Sequence, residues 1–421
     1  MTRLNDEIDG LTLDLAWSLW GELGVDGRHR RHDWQAIDLE PLIIFTAAIG
    51  NLDSRLRANS MDWCIANARF ASAFRLRNLA DQSSAGTRAA FGRYAATVKA
   101  HAKVPWPSLG DPLAIWTSER ISEPDLRRPS LIQLRLRAFI GVSARAEVLK
   151  LMLADPTRGK AASALTEAAG YGKASVAQAL DMLTRAGLVD VEPTANRFIY
   201  RLARPAELLD VLQWLPAVFP DWSPIFRIAE ALTEFGHSRS KTPLALAGDV
   251  KRTIQSIDRD LHRLGIADQV PRVSGPAYVT EFEHWALAFL ADQCGRGESG
   301  TSGREVSYTF HHLTFGSWKA TVGQPGYEPV PLESDEIADS GQLNESTGAH
   351  ELANAMLSDL LTRTQPQIHN DQSNDPLTRM ISDEFAAELL RPMRPGQQAT
   401  FSAEYVRRWY ENRRQRFAST A

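Results

Sequence analysis

Cysteine is nearly absent: Cys64 and Cys294 are the only two in 421 residues. Two thiols cannot staple a chain of that length, and neither belongs to a CxxC pair. A disulfide framework and a cysteine metal site are therefore excluded. Long apolar runs are missing too. No stretch reaches the roughly 18 uninterrupted apolar residues of a membrane span, and the opening MTRLNDEIDG lacks the apolar core of a secretory signal. A soluble protein of the reducing cytoplasm, without membrane contact, is expected. The common catalytic templates are also absent. There is no GxxxxGK[ST] phosphate loop, no GxGxxG after a strand, no GxSxG elbow and no HExxH helix. Nor is there a Gly-Ser followed by paired aspartates, which would hold Mg²⁺ for nucleotidyl transfer. No catalytic residue, cofactor or metal is assigned, and a non-enzymatic role is expected.

Net charge is small, −4, which by itself does not mark a polyanion binder. The signs are, however, separated along the chain. From Glu328 to Glu388 acids dominate, and Arg363 and Arg379 are the only Lys or Arg among them. The C-terminus is cationic, with Arg407, Arg408, Arg413, Arg414 and Arg416 around Trp409 and Tyr410. Such a cluster can clamp phosphates, contact a partner's acidic surface, or fold back onto the acidic stretch.

Apolar spacing predicts a mainly α fold. Residues 1–104 read as a helical N-terminal domain, because Leu13, Ala16, Trp17, Trp20 and Leu23 recur at three- and four-residue steps. Further helices are expected over Leu39–Ile49, Arg55–Leu79 with a break near Asn67, and Thr87–Lys103. Asp38 and Asp53 stand as N-caps. Trp17, Trp20, Trp34 and Trp63 read as core, and Arg55, Arg57, Arg69, Arg75 and Arg77 as one basic face. A proline-punctuated connection occupies 105–130. Beyond Gly295, a flexible acidic segment over 295–375 is expected to be largely disordered, interrupted by a strand or hairpin at Val306–Trp318 and a helix at Ala349–Leu361. A basic helix is expected over 376–421.

The middle of the chain is the most patterned. In 131–215 a helix at Ala144–Ala154 is followed by a short one at Ala161–Ala169, the turn Gly170-Tyr171-Gly172, and a third helix from Lys173 to Ala186. Val176, Leu180 and Leu183 form its inner face, and Gly187 ends it in a left-handed cap. Two strands, Leu188–Val191 and Phe198–Leu202, then flank a turn. Helix, helix, turn, helix, hairpin is the winged helix-turn-helix order. The outer face carries Lys173, Ser175, Gln178, Asp181 and Arg185, and the wing tip Asn196 and Arg197. A helix of this kind fits the major groove, where Lys can reach guanine or phosphate and Gln can pair with adenine.

The same order is read again in 216–294, about 78 residues later when Lys173 is set against Lys251. Here the helices are Pro224–Phe235, Pro243–Ala247 and Val250–Leu264, with Gly265 as terminator. Strands Ile266–Val270 and Ala277–Thr280 flank a shorter wing at Arg272. The outer face presents Lys251, Arg252, Gln255, Ser256, Arg259 and Arg263. The expected architecture is thus a helical N-terminal domain, two tandem winged-helix modules with small β wings, and a partly disordered C-terminal tail.

The segment GYGKASVAQALDMLTRAGLV resembles winged-helix bacterial regulators of the broad MarR/ArsR/GntR type. The resemblance implies sequence-specific binding of double-stranded DNA and transcriptional regulation, as a repressor of its own operon, with a homodimer as the expected binding form. The N-terminal stretches DLAWSLWGELGVDG, LEPLIIFTAAIG and DWCIANARFASAFRLRNL are similar to uncharacterised bacterial proteins encoded near nucleotidyltransferase-type toxins of AbiE phage-defence systems. That likeness implies an alternative: an antitoxin or adaptor that binds a partner protein such as the toxin. No site residue is carried over from it. Finally, His29 and His32 lie three apart in GRHRRH without a nearby carboxylate or third ligand, and read as part of a basic loop rather than a metal site.

Overall fold

The computed structural model describes residues 2–25, 32, 35–114, 123–156, 158–194, 197–212, 215–216, 218–238, 242–271, 276–294, 307–312, 318–323, 330–332, 348–364, 376–390, 398–402, 406–407, 409–410 and 413–414. The chain forms two compact units, Met1–Gly297 and Glu298–Ala421, and is mainly helical. Among the described residues no helix is long and apolar enough to cross a membrane.

The first unit opens with α1 (Thr2–Glu22), α2 (Leu39–Ala48), α3 (Ser54–Asn67), α4 (Ala73–Ala80) and α5 (Ala85–Ala102). The expected break at Asn67 is present, and a 3₁₀ turn at Ala68–Phe70 fills it before α4. Asp53 caps α3 as expected, accepting from the backbone amides of Arg55 and Leu56. Asp38 occupies the N-cap position of α2 but does not cap it. Its carboxylate is drawn away by cations described below.

The segment after the proline-rich connection holds α6 (Ile132–Ile140), α7 (Ala144–Leu153), β1 (Lys160–Ala161), α8 (Ala162–Ala169), α9 (Lys173–Arg185), β2 (Val189–Thr194), β3 (Arg197–Leu202) and α10 (Pro205–Leu212). The three strands make an antiparallel sheet in the order β1-β3-β2, with Val189 opposite Leu202, Val191 opposite Tyr200 and Pro193 opposite Phe198. One core joins Val148, Leu149 and Met152 of α7, Leu165 and Ala169 of α8, Val176, Leu180 and Leu183 of α9, and Val189 and Leu202 of the sheet. Val176, Leu180 and Leu183 are the inner-face positions expected from spacing. Gly187, at φ +70°, turns the chain from α9 into β2.

The stretch after it departs from expectation. It contains α11 (Trp222–Ser238), α12 (Pro243–Leu264), a 3₁₀ turn at Ala267–Gln269 and α13 (Pro276–Gln293). The two helices expected at Pro243–Ala247 and Val250–Leu264 are one continuous helix. Leu246 continues the buried or half-buried series Val250, Ile254, Ile257, Leu261 and Leu264 backwards at helical spacing, and Gly248 alone costs a helix only about 1 kcal/mol relative to alanine. The two expected strands are absent among the described residues. Ile266–Val270 is largely a 3₁₀ turn, and Ala277–Thr280 lies in the first turn of α13, whose buried residues Phe282, Ala286 and Leu290 follow a helical repeat. Proline at position 276 suits a first helical residue. No second hairpin accompanies this helix among the described residues.

Helices α11–α13 share one core with α1–α5 rather than building one of their own. Phe45 stacks on Phe226 with ring centroids 4.4 Å apart, and Trp222 on Phe226 at 5.3 Å. Trp20 meets Trp63 edge to face at 5.6 Å. These three buried indoles donate their N–H inward: Trp20 to Thr46 Oγ1, Trp63 to the Leu23 carbonyl and Trp222 to the Ala36 carbonyl. The core reading of Trp17, Trp20 and Trp63 therefore holds, whereas Trp34 lies outside the described residues. His32 is also core. It is buried between Ser18 Oγ at 2.7 Å and the Gln293 carbonyl at 2.8 Å, while His29 lies outside the described residues.

In the second unit the strand and the helix expected at Val306–Trp318 and Ala349–Leu361 are present, and residues 333–347 and 365–375 lie outside the described residues. Four antiparallel strands, β4 (Ser307–His312), β5 (Trp318–Gly323), β6 (Val330–Pro331) and β7 (Gln398–Ser402), pair in the order β6-β5-β4-β7. They are joined by α14 (Gly348–Thr364) and α15 (Pro376–Phe385), the latter running on as a π turn over Ala386–Leu390. Tyr308, Phe310, Trp318, Val322, Met356, Ile381 and Phe385 are buried. That set is apolar enough to offset the acidity of the intervening stretch. Residues 398–402 are strand where helix was expected. Arg413 of the basic cluster pairs with Glu384 at 3.4 Å and Glu388 at 2.6 Å, acids of the same unit, while Arg408 and Arg416 lie outside the described residues.

Candidate nucleic-acid interface

The helix pair α8–α9 is bent at Gly170-Tyr171-Gly172. Gly170 ends α8 at φ +68°, a conformation that L side chains rarely adopt, and a Cβ there would lie 3.2 Å from Arg75. Gly172 is the extended residue that starts α9. With Val176, Ala179, Leu180 and Leu183 turned inward, the opposite side of α9 is left to solvent. Lys173, Ser175, Gln178 and Arg185 are all exposed on it, as expected. Arg185 Nε lies 3.0 Å from Asp181 Oδ2, but both side chains are more than half exposed, so this pair holds Arg185 only weakly.

The β2–β3 hairpin brings Arg197 to the same module, exposed at the start of β3, while Asn196 lies outside the described residues. The two hairpin faces differ. One carries Asp190, Glu192 and Thr194 against Arg201, Ile199 and Arg197; the other carries Val189, Val191 and Pro193 against Leu202, Tyr200 and Phe198. The apolar face begins in the core and runs outward until Val191 is 41% and Phe198 60% exposed.

On α12 the candidate residues fare differently. Lys251, Gln255, Ser256 and Arg259 are exposed. Arg252 is bonded to Asp249, one turn earlier on the helix. Arg263 is drawn onto Asp221 at 2.5 Å and is only 19% exposed, so it is tied to the protein rather than offered to a partner. Arg272 lies outside the described residues. With Gly248 inside the helix and no hairpin after it among the described residues, α12 presents charge but not the frame of α9.

Spacing alone missed a buried ionic cluster behind the α8–α9 turn. Asp38 and Glu40 from the start of α2, Arg75 from α4, Arg137 from α6, and Glu147 and Lys150 from α7 converge there. Arg75 forks onto both oxygens of Asp38, reaches Glu40 Oε2 at 2.5 Å, and donates Nε–H to the Ala169 carbonyl at 2.7 Å. Arg137 bridges Glu40 and Glu147, each at 2.6 Å, and Lys150 joins Glu147 at 2.8 Å to Asp38 at 3.1 Å. Three carboxylates meet three cations, so formal charge cancels. Burial alone would raise the Glu147 carboxyl, but Arg75, Lys150 and Arg137 hold it down to about 2. Burial likewise opposes the charge on Arg75, and Asp38, Glu147 and Glu40 more than restore it. Arg75 is therefore not part of a surface basic face with Arg55, Arg69 and Arg77; it is 1% exposed. The signal available in the sequence was Gln133 and Arg137 one turn apart on IQLRLRAFI, where Arg135 is the only other polar residue, facing Glu147 and Lys150 on α7.

No protein-family model, curated protein or solved structure matches this chain. Among the described residues no group of three or more His, Cys, Asp or Glu is placed to hold a metal ion. Both thiols are buried; Cys64, beside the Tyr94 hydroxyl, is pushed up to about 12 by burial and is not a nucleophile at neutral pH.

Proposed function

We propose that this protein is a sequence-specific double-stranded DNA-binding regulator and that α7–α9 with the β2–β3 hairpin is a winged helix-turn-helix module. The observation that carries the reading is the α8–turn–α9 bend followed at once by a hairpin, with Lys173, Ser175, Gln178 and Arg185 on the solvent side of α9. An α-helix fills the major groove, so Gln178 and Ser175 would meet base edges, Lys173 a guanine or phosphate, and Arg197 the flanking backbone. Lys251 and Arg259 on α12 are assigned sequence-independent phosphate contacts only. Transcriptional repression of its own operon, as a homodimer, is the regulatory form proposed.

The test is binding of the full chain to duplex from upstream of its coding sequence, against scrambled competitor, across a salt series. Preference for the upstream duplex, with affinity falling steeply as salt rises, is expected. Equal binding to both duplexes would sink sequence specificity.

The hairpin favours a second reading, an adaptor or antitoxin that binds a partner protein. Its outward apolar face and the carboxylates of Asp190 and Glu192 suit a protein surface better than phosphate. Co-purification of a stoichiometric neighbour-encoded protein, lost in Phe198→Asp, would support it.

A further inference from the structure

We propose that α4 is the positioning element of α9: Arg75 and Asn78 set the angle at which the exposed face of α9 is presented, so their role is in recognition as well as in folding. This deepens the DNA-binding reading above and rests on it. The inference starts from the turn itself. Its three backbone and side-chain handles are all held from one short segment. The Ala169 carbonyl accepts from Arg75 Nε at 2.7 Å, the Gly170 carbonyl accepts from Asn78 Nδ2 at 3.0 Å, and the Tyr171 hydroxyl donates to Ser72 Oγ at 2.8 Å. Ser72 is the N-cap of α4, and Arg75 and Asn78 lie on successive turns of it. Ala169 and Gly170 are where α8 ends, and α9 starts two residues later.

The last carbonyls of a helix have no partner within it. Here the carbonyls of Ala169 and of the C-cap Gly170 are answered by Arg75 and Asn78 of α4, which ties the bend to that helix. Arg75 is in turn immobilised by Asp38, Glu40 and Glu147, which are themselves held by Arg137, Gln133 and Lys150. The chain of bonds thus runs from the start of α2 through α4 to Tyr171, two residues before α9 begins. Rigid second contacts of this kind set the precision of a binding site. Orientation matters on the scale of a base-edge hydrogen bond, which weakens steeply with misalignment.

Arg75→Ala would leave three buried carboxylates with only two cations and is expected to unfold the unit, so milder changes carry the test. Asn78→Ala and Tyr171→Phe each remove one bond to the turn and leave the ionic cluster whole; Arg75→Lys keeps the charge but loses the fork. The first readout is amide hydrogen exchange of the full chain, which needs no ligand. In Asn78→Ala/Tyr171→Phe, amides of residues 170–176 should exchange at least about fivefold faster, with α7 and the α1–α2 core unchanged. The second readout is affinity for the upstream duplex at a temperature where the variant is fully folded. A loss of about tenfold is expected for the upstream duplex, with scrambled duplex bound as before, and a smaller loss for Arg75→Lys.

Unchanged exchange over 170–176 would overturn the positioning role whatever the DNA result. Faster exchange with unaltered affinity for the upstream duplex would show a structural tie only and would also overturn it. If the wild-type chain binds no duplex while the exchange arm behaves as stated, the DNA reading fails and the mechanical coupling of α4 to α9 stands.

Discussion

Two stretches of this chain begin from nearly the same phrase and end as different structures. Setting Lys173 against Lys251 aligns AAGYGKAS with LAGDVKRT and places Gly248 where Gly170 stands. Gly170 is left-handed and ends a helix; Gly248 lies inside one. The first stretch has a second glycine two residues on, and Arg75, Asn78 and Ser72 waiting to receive the turn. The second has Val250, fully buried, in place of that glycine, and a run of apolar residues that favours one continuous helix. A glycine permits a turn; neighbours and tertiary partners decide whether it is used.

The largest expected effect lies in the buried cluster that only the first stretch possesses. Arg137→Met should leave Glu40 and Glu147 without their shared partner and cost about 3–5 kcal/mol, whereas Arg252→Ala on exposed α12 should stay within about 0.5 kcal/mol. Urea unfolding of the two variants measures the contrast, and a similar small loss for both would break it. The same cluster fixes an acid limit. Glu147 ionises at about 2 in the folded chain against an ordinary 4.5. Its contribution is complete above pH 4.5 and is lost as pH falls through about 2. Melting followed downward from pH 5 should show this loss.

Next in size is the glycine pair. Gly170→Ala forces an alanine to φ +68° with its Cβ 3.2 Å from Arg75, and should cost about 1–2 kcal/mol. Gly248→Ala meets only Arg252 Nη1 at 3.8 Å and sits in a helix, so it should stabilise by about 0.5–1 kcal/mol. Opposite signs in thermal melts sharpen the comparison; equal signs would refute the assigned turn.

A comparable effect of opposite pH sense belongs to α11. Burial, with Glu234 and Asp260 nearby, lifts the Glu230 carboxyl to about 7 despite the Thr87 hydroxyl at 2.8 Å and Arg227. A raised carboxyl contributes fully below its ordinary 4.5 and loses that contribution as pH rises through 7. Glu230→Gln should therefore melt higher than wild type at pH 8, by about 1–2 kcal/mol, and equal it at pH 4. A gap that is the same at both pH values would contradict the assignment.

How far these features were legible follows from the same physics. Of helices α1–α9 all but α6 were readable, as was the β2–β3 hairpin, because Val176, Leu180 and Leu183 or Trp17 and Trp20 repeat at helical spacing and Gly187 marks a stop. The merging of α11–α13 with α1–α5 was not, since Phe45 and Phe226 are far apart in sequence and any apolar face can meet any other. The second hairpin was misread because Ala277–Thr280 has strand-like residues, and only the continuation to Phe282, Ala286 and Leu290 makes it helix. The buried ions were hidden by their own chemistry: Asp38 resembles a cap and Arg75 a surface cation until their partners are known. Inside the acidic stretch the helix expected at Ala349–Leu361 is present as α14, whereas β6 and β7 were not foreseen, because a strand's partners lie far away in sequence. On α9, spacing located Lys173, Ser175, Gln178 and Arg185 on the solvent side; it could not reveal that Arg263, on the matching face of α12, is held by Asp221.

The most direct measurement of the central claim compares Gln178→Ala with Lys251→Glu/Arg259→Glu in affinity for upstream and scrambled duplex across salt. Gln178→Ala should reduce the preference for the upstream duplex by about tenfold or more with the salt slope unchanged. The α12 pair should weaken both duplexes alike and flatten the slope by about two. Preference lost through the α12 changes and untouched by Gln178→Ala would contradict that claim.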